Sequence, residues 1–116
     1  MPFNDTILNI ANAAAQAAMV AMAIHTAQPD AAGSNQSTAA RQTITWVTAA
    51  NGDIIATVDL NFTGGAASGP ATHVGFWSQT AAGGTFYGWL PLTGDQTFNA
   101  AGEYTCTGVT ITGTAS

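Results

Sequence analysis

Two histidines, one cysteine and six carboxylates are the residues of this chain whose types could support catalysis or metal binding. His25 and His73 could exchange protons near neutral pH, but neither belongs to an HxH or HxxxH pattern typical of zinc sites. Cys106 lies within a strand-like stretch, which favours a small buried side chain over a nucleophile. The carboxylates are dispersed, and the serines lack a GxSxG context. We therefore predict no enzymatic activity and no catalytic, cofactor-binding or metal-binding residues.

The charge balance restricts the partners of the chain. Arg41 is its only basic residue, charged residues make up 6% of the chain, and the net charge is −5. A single cation cannot neutralise a nucleic-acid backbone or attach the chain to anionic lipid, so we expect no direct nucleic-acid or membrane binding. Arg41 is expected as a surface cation or in an ion pair with a carboxylate of the same or a neighbouring subunit.

The composition indicates a subunit of an assembly. The chain has 24 Ala and 18 Thr, so its surface side chains are expected to be small and uncharged. Such side chains produce little charge repulsion between copies. Such a surface suits a packed subunit better than a free monomer, and we expect a homo-oligomer, with a trimer as the preferred state. Residues 1–40 contain no Lys or Arg, and residues 11–24 form too short an apolar stretch to span a membrane. We therefore expect neither a signal peptide nor a membrane span.

The elements that must position these residues begin with a helix. Residues 4–18 show apolar side chains at helical spacing, with Asn4 or Asp5 as the cap. The apolar face is expected to pack on its own domain or on a neighbour, and is formed by Ile7, Leu8, Ala11, Ala14, Ala15, Ala18 and Met22. The opposite face carries Asn9, Asn12 and Gln16. A first strand is predicted within residues 19–26, ended by Pro29, and a loop of small residues follows to position 40.

A hairpin is the clearest local pattern. Residues 41–49 and 53–62 are strand-like and flank Asn51-Gly52, which favours a two-residue turn. That turn places Trp46 opposite Thr57 on a face of mixed polarity. A large aromatic side chain there requires cover from a loop, a helix or another subunit.

Two aromatic strands are predicted next, over residues 72–78 and 85–90, and a last strand over 103–112. Alternation would place Phe76, Phe86 and Leu90 on one side, and Trp77, Tyr87 and Trp89 on the other. We therefore predict a single domain over residues 1–116 that is mainly β. It consists of an α-helix over 4–18 and an antiparallel β-sandwich or barrel of six or seven strands over 19–116.

Several segments, in the same order along nearly the whole chain, resemble a family of small virion proteins from tailed phages of actinobacteria. They are HTAQP at 25–29, AR at 40–41 before Trp46, THVGFWS at 72–78, GTFYG at 84–88, and closing strands over 97–111. Members of that family are described as tail fibre or minor tail proteins. The family offers no catalytic residues to carry over, and it often has Tyr where this chain has Ala40.

The resemblance implies a structural protein of the virion, assembled in the host bacterial cytoplasm. The expected role is a repeated subunit of the tail tip or tail fibre, or a minor tail protein, in contact with other tail proteins or the major capsid protein. A head-decoration protein that stabilises the capsid is the alternative. A carbohydrate-binding module is a further alternative from the residues themselves, with Trp77, Tyr87 and Trp89 as a stacking platform.

Overall fold

The computed structural model describes residues 4–50, 53–56, 59–107 and 109–111. In this part of the chain one helix precedes nine strands. They are α1 (Asp5–Ala18), β1 (Ala21–His25), β2 (Gln42–Thr43), β3 (Trp46–Ala50), β4 (Asp53–Ala56), β5 (Leu60–Phe62), β6 (His73–Trp77), β7 (Phe86–Pro91), β8 (Tyr104–Cys106) and β9 (Val109–Ile111). Neighbouring strands pair antiparallel throughout. The predicted mainly β fold with an N-terminal helix is confirmed.

The helix begins and ends where the sequence indicates. The Asn4 side chain accepts a hydrogen bond from the Ile7 N–H at 3.1 Å and caps the first turn. At the other end the Met19 N–H donates to the Ala15 carbonyl at 2.9 Å. Because Met19 still caps the helix, β1 begins two residues later than the earliest predicted position. Among the described residues, no helix is both long and apolar enough to cross a bilayer.

The strands form a four-stranded sheet of order β2-β1-β6-β7, a three-stranded sheet β3-β4-β9 and a two-stranded sheet β5-β8. The three longest predicted strands, 41–49, 53–62 and 103–112, are each divided between two of these sheets. This division accounts for nine strands where six or seven were expected. Dividing a strand lets its two halves turn different faces inward, so bulky residues on both faces can be buried.

Two irregularities change the predicted faces. In the hairpin, Ala50 pairs with Asp53 as predicted, but the register then shifts and Trp46 pairs with Ala56 instead of Thr57. The turn residues Asn51 and Gly52, like Thr57, lie outside the described residues. A second register shift at Phe76/Trp77 brings Phe86 opposite Trp77. Phe86 and Trp77 therefore share one side of the sheet, and the prediction that placed Phe86 with Phe76 is wrong.

The main core lies on the inner face of the four-stranded sheet. Met22, Ile24, Val74 and Phe76 of that sheet form one apolar cluster with residues of the two-stranded sheet and the connecting loops. The residues that close it from the other side include Phe62, Phe98, Tyr104 and Cys106. All five residues of β1 are buried, because the opposite face of the same sheet is covered as well.

Trp46 is covered within its own chain. Its Nε1–H donates to the Met19 carbonyl at 2.8 Å, and its ring centroid lies 6.1 Å from that of Phe76. The helix packs on β3 and β4 beside it. A loop, a helix or another subunit was expected to cover this ring. In the structure, α1 and Met19 at its C-terminal end provide the cover.

Candidate functional site

Arg41 fixes a loop through neutral partners. Its guanidinium carbon lies 3.8 Å from the centroid of the Trp77 ring, in cation–π geometry. Nη1 donates to three backbone carbonyls between residues 79 and 83 at 2.8–3.0 Å, and Nε and Nη2 both donate to Gln36 Oε1. Within the described residues Arg41 thus stabilises a loop through neutral partners, instead of forming the ion pair considered from sequence.

His25 is a buried neutral residue beneath that arginine. Its Nε2 lies 3.4 Å from the Trp77 Nε1–H, which donates to it, and its Nδ1 lies 2.8 Å from the Ser34 carbonyl. An indole N–H only donates and a carbonyl only accepts, so the His25 proton resides on Nδ1. Burial lowers the pKa of His25, against a smaller opposite effect of the hydrogen bond to Ser34. These contacts give His25 a structural role in packing and hydrogen bonding.

Two glycines allow the side chains of His25, Trp77 and Phe86 to pack directly against the backbone. Gly33 has a φ of +81°, and a Cβ there would lie 2.6 Å from Trp77 Cη2 and 2.8 Å from Phe86 Cγ. A Cβ on Gly75 would collide with His25 Nε2. We call His25, Arg41, Trp77 and Phe86, with these two glycines, the closed cluster. Trp77 is only 6% exposed within it and cannot belong to a sugar-stacking platform.

The remaining candidates for chemistry are His73, which lies opposite His25 in the pairing of β6 with β1, and Cys106. His73 contacts Thr72 Oγ1 at 2.7 Å through Nδ1, and its ring meets Trp89 nearly at a right angle. Cys106 is buried, and burial raises the pKa of its thiol to about 11, which fits the predicted small core residue. Across the described residues, no three His, Cys, Asp or Glu side chains converge in a way that could hold a metal ion.

The helix exposes part of the face that was expected to be buried. Ile7 is 44% exposed and Ile10 is 62% exposed, whereas Leu8 and Ala15 are half-buried. The amide residues expected to face solvent are half-buried instead: Asn9, Asn12 and Gln16. Contact with β3 and β4 sets this rotation of the helix about its axis. We call Ile7, Ile10, Ala14 and Ala18, all exposed, the outer helix face.

An apolar groove of about 460 Å³ lies where the end of α1 meets β7. Its lining comprises Ala15, Ala18, Met19, Phe76, Tyr87, Gly88, Trp89 and Leu90. β7 is the last strand of its sheet in the part of the chain that the structure describes, so one edge of it is unpaired there. We call this the helix–β7 groove. Exposed large apolar side chains in the described chain occur beside it or on α1: Ile7, Ile10, Val20, Tyr87 and Trp89.

A second groove, of about 410 Å³, shares the β7 residues. Its lining comprises Pro29, Asp30, Ala31, Phe86, Tyr87, Gly88 and Trp89, and we call it the Asp30 groove. Asp30 Oδ1 accepts hydrogen bonds from the Ser34 N–H at 3.2 Å and the Ala32 N–H at 3.0 Å. These two backbone donors, of which the Ser34 N–H has the larger effect, hold the pKa of the Asp30 carboxyl below its usual value. The groove therefore combines aromatic surface with an ionised, fixed carboxylate.

A known protein family matches nearly the whole chain. The family model described as podophage GP4 fiber I protein gp80 matches residues 4–114. The chain belongs to this family. It is accordingly a structural protein of the phage virion, of the fibre type, with a role in the tail, and that part of the sequence-based expectation is confirmed. The narrower assignment to phages of actinobacteria stays a prediction.

No curated protein and no solved structure matches the chain of this fibre family member. Sequence inspection singled out Tyr87 and Trp89 as aromatic residues, but it missed Asp30 as their neighbour and the outward turn of Ile7 and Ile10. The Asp30-x-Ala32-x-Ser34 spacing is compatible with a side chain that caps its own loop, and was the available signal.

Proposed function

We propose that this fibre-family protein is a repeated subunit of the tail fibre or tail tip. Copies associate through the outer helix face and the helix–β7 groove, and a trimer is the preferred closed state. The observation that carries the proposal is the position of the exposed large apolar side chains. In the described chain they occur on α1, at the residue before β1 and on β7, and the end of α1 and β7 together line one apolar groove. Exposed apolar patches of this kind mark interaction surfaces.

The dimensions of the subunit favour further copies of the chain as the occupant. The longest dimension of the fold is 46 Å, whereas a fibre is an extended assembly. A fibre therefore requires several subunits joined through their surfaces. The family's description as a fibre protein also supports the tail over the head-decoration alternative.

The distribution of charge also favours self-association. The net charge is −5, and the one cation, Arg41, is engaged in the closed cluster. The outer helix face and the lining of the helix–β7 groove contain no ionisable group apart from the Tyr87 phenol. Two acidic copies can therefore approach through these surfaces without placing carboxylates in direct contact. Other tail proteins would bind the remaining faces.

The test is a matched pair of charge insertions. Ala14→Glu introduces a carboxylate on the outer helix face at a small loss of helix propensity, roughly 0.4 kcal/mol. Ala100→Glu introduces the same group on an exposed turn residue away from that face. Sedimentation velocity at micromolar concentration should show a mass of about three times 11.7 kDa for the parent and for Ala100→Glu.

The Ala14→Glu variant should sediment as a monomer that keeps the circular dichroism spectrum of the parent, and its melting temperature should fall because the stabilisation by association is lost. A parent chain that remains an 11.7 kDa monomer at every concentration would contradict self-association. Equal association of both variants would contradict the assigned surface, whatever the oligomeric state.

A further inference from the structure

We propose that the Asp30 groove binds a neutral pyranose sugar, which stacks on Trp89 and Tyr87 and donates hydroxyl hydrogen bonds to Asp30. This inference goes beyond the assembly role, since it concerns a ligand and a different groove. Tyr87, Gly88 and Trp89 line both grooves and form the ridge between them. The ridge can therefore contact a neighbouring subunit on one side and a sugar on the other.

The two aromatic side chains of the groove are exposed, and a neighbouring ring holds Trp89 in position. Tyr87 is 49% exposed and Trp89 is 36% exposed, in contrast to the buried Trp77. The ring of His73 lies 5.0 Å from that of Trp89 at an interplanar angle of 81°, a contact that restricts rotation of the indole. A Cβ on Gly88 would meet no atom within 4 Å, so the chain between the two aromatic residues is open on that side as well.

The polar part of the groove is fixed before any ligand binds. The Asp30 N–H donates to Ser34 Oγ at 3.0 Å, and Asp30 Oδ1 accepts from two backbone N–H groups of the same loop. A carboxylate has about four acceptor sites, so Asp30 retains capacity for sugar hydroxyls. The loop is itself anchored to the closed cluster through the Ser34 carbonyl and His25. Little conformational entropy is then lost when a ligand is bound.

The chemistry of the groove selects the class of ligand. A pyranose ring presents a C–H face that packs on aromatic rings and hydroxyl groups that donate to a carboxylate. The volume of about 410 Å³ lies within the range of small-molecule sites and accommodates one or two rings. Apart from the Tyr87 phenol, Asp30 is the ionisable residue of the lining and is an anion. It therefore disfavours acidic sugars and selects neutral ones.

The experiment measures binding of defined oligosaccharides to the intact chain by isothermal titration calorimetry. The probes are cellotetraose, chitotetraose, mannotetraose and maltotetraose, with tetragalacturonate as the acidic comparison. At least one neutral probe should bind, and tetragalacturonate should bind more weakly. Absence of binding for all four neutral probes, or preferential binding of tetragalacturonate, would overturn the proposal.

Variants then locate the site. Trp89→Ala and Asp30→Asn should each lower the affinity roughly tenfold. Asp95→Asn is the matched control, because Asp95 Oδ1 also accepts from a backbone N–H two residues ahead but lines neither of the two grooves. Tyr87→Ala, a half-exposed position, serves as a second aromatic variant if Trp89→Ala does not fold. Unchanged affinity in Asp30→Asn and in the folded aromatic variant would overturn the assignment.

Assembly and sugar binding fail separately in these experiments. Ala14→Glu should disrupt association and leave the affinity for the neutral tetrasaccharide unchanged, whereas Asp30→Asn should do the reverse. A monomeric chain that still binds the sugar would contradict the proposed assembly alone. An oligomer that binds no neutral tetrasaccharide would contradict the sugar site alone.

Discussion

The closed cluster and the β7 ridge, as we call Tyr87, Gly88 and Trp89, both contain aromatic residues of the paired strands β6 and β7, yet these residues have opposite environments. Trp77 lies under Arg41, beside His25 and against Gly33, and is 6% exposed. Trp89, twelve residues later, has a ring contact with His73 alone among the described residues and is 36% exposed. The comparison shows that the cover over an aromatic residue, rather than its presence, decides whether it stabilises the fold or can contact a partner.

Removal of Trp77 should have the largest effect. Trp77→Ala deletes a buried ring and the surface on which Arg41 lies, so we expect the free energy of unfolding to fall by about 3–5 kcal/mol. Urea denaturation of the purified variant, followed by circular dichroism, measures this loss. A loss below about 1 kcal/mol would contradict the division into a closed and an open region.

Arg41→Lys should have the next largest effect. Lysine keeps the charge but cannot donate to Gln36 and to three carbonyls in one plane. We expect the free energy of unfolding to fall by about 1–3 kcal/mol. Hydrogen exchange should increase more in residues 79–84 than in β1 when the variant is compared with the parent. Uniform exchange changes across the whole chain would show that Arg41 does not act on this loop in particular.

The closed cluster should also make stability depend on pH. The folded-state pKa of His25 is lowered by burial, so the unfolded chain takes up a proton first as the pH falls below about 6.5. Stability is therefore complete above that pH and declines below it, by at most about 1.4 kcal/mol per pH unit for one group. Melting temperatures between pH 7.5 and 5.5 measure the slope.

The control for this pH dependence is His25→Asn, which cannot titrate. The variant is expected to be less stable at pH 7.5 but to have a flatter slope than the parent. An identical slope in both proteins would assign the pH dependence to other groups.

Truncation of Tyr87, an exposed residue of β7, should have the smallest effect on stability. Tyr87→Ala removes a side chain that is 49% exposed and lies outside both apolar clusters, so we expect a change within about 1 kcal/mol. Differential scanning calorimetry compares this variant with Trp77→Ala directly. A loss similar to that of Trp77→Ala would mean that the ridge is a structural element rather than a free surface.

Local sequence determined much of this fold. Asn4 begins the helix because its side chain accepts from the first turn, and β6 and β7 follow the aromatic stretches that predicted them. The pairing of Ala50 with Asp53 is the pairing that the Asn51-Gly52 sequence predicts. Capping, alternation and turn preference act over a few residues, so they can be recognised in the sequence alone.

The tertiary structure decided what each face contacts. Ile10 is exposed because β3 and β4 hold the other side of the helix, and a helical pattern alone does not say which apolar stripe is covered. Arg41 finds its carbonyl partners about forty residues further along the chain, and Asp30 meets Trp89 across a groove between distant segments. Such contacts depend on how the sheets fold back on one another, and no short-range pattern encodes them.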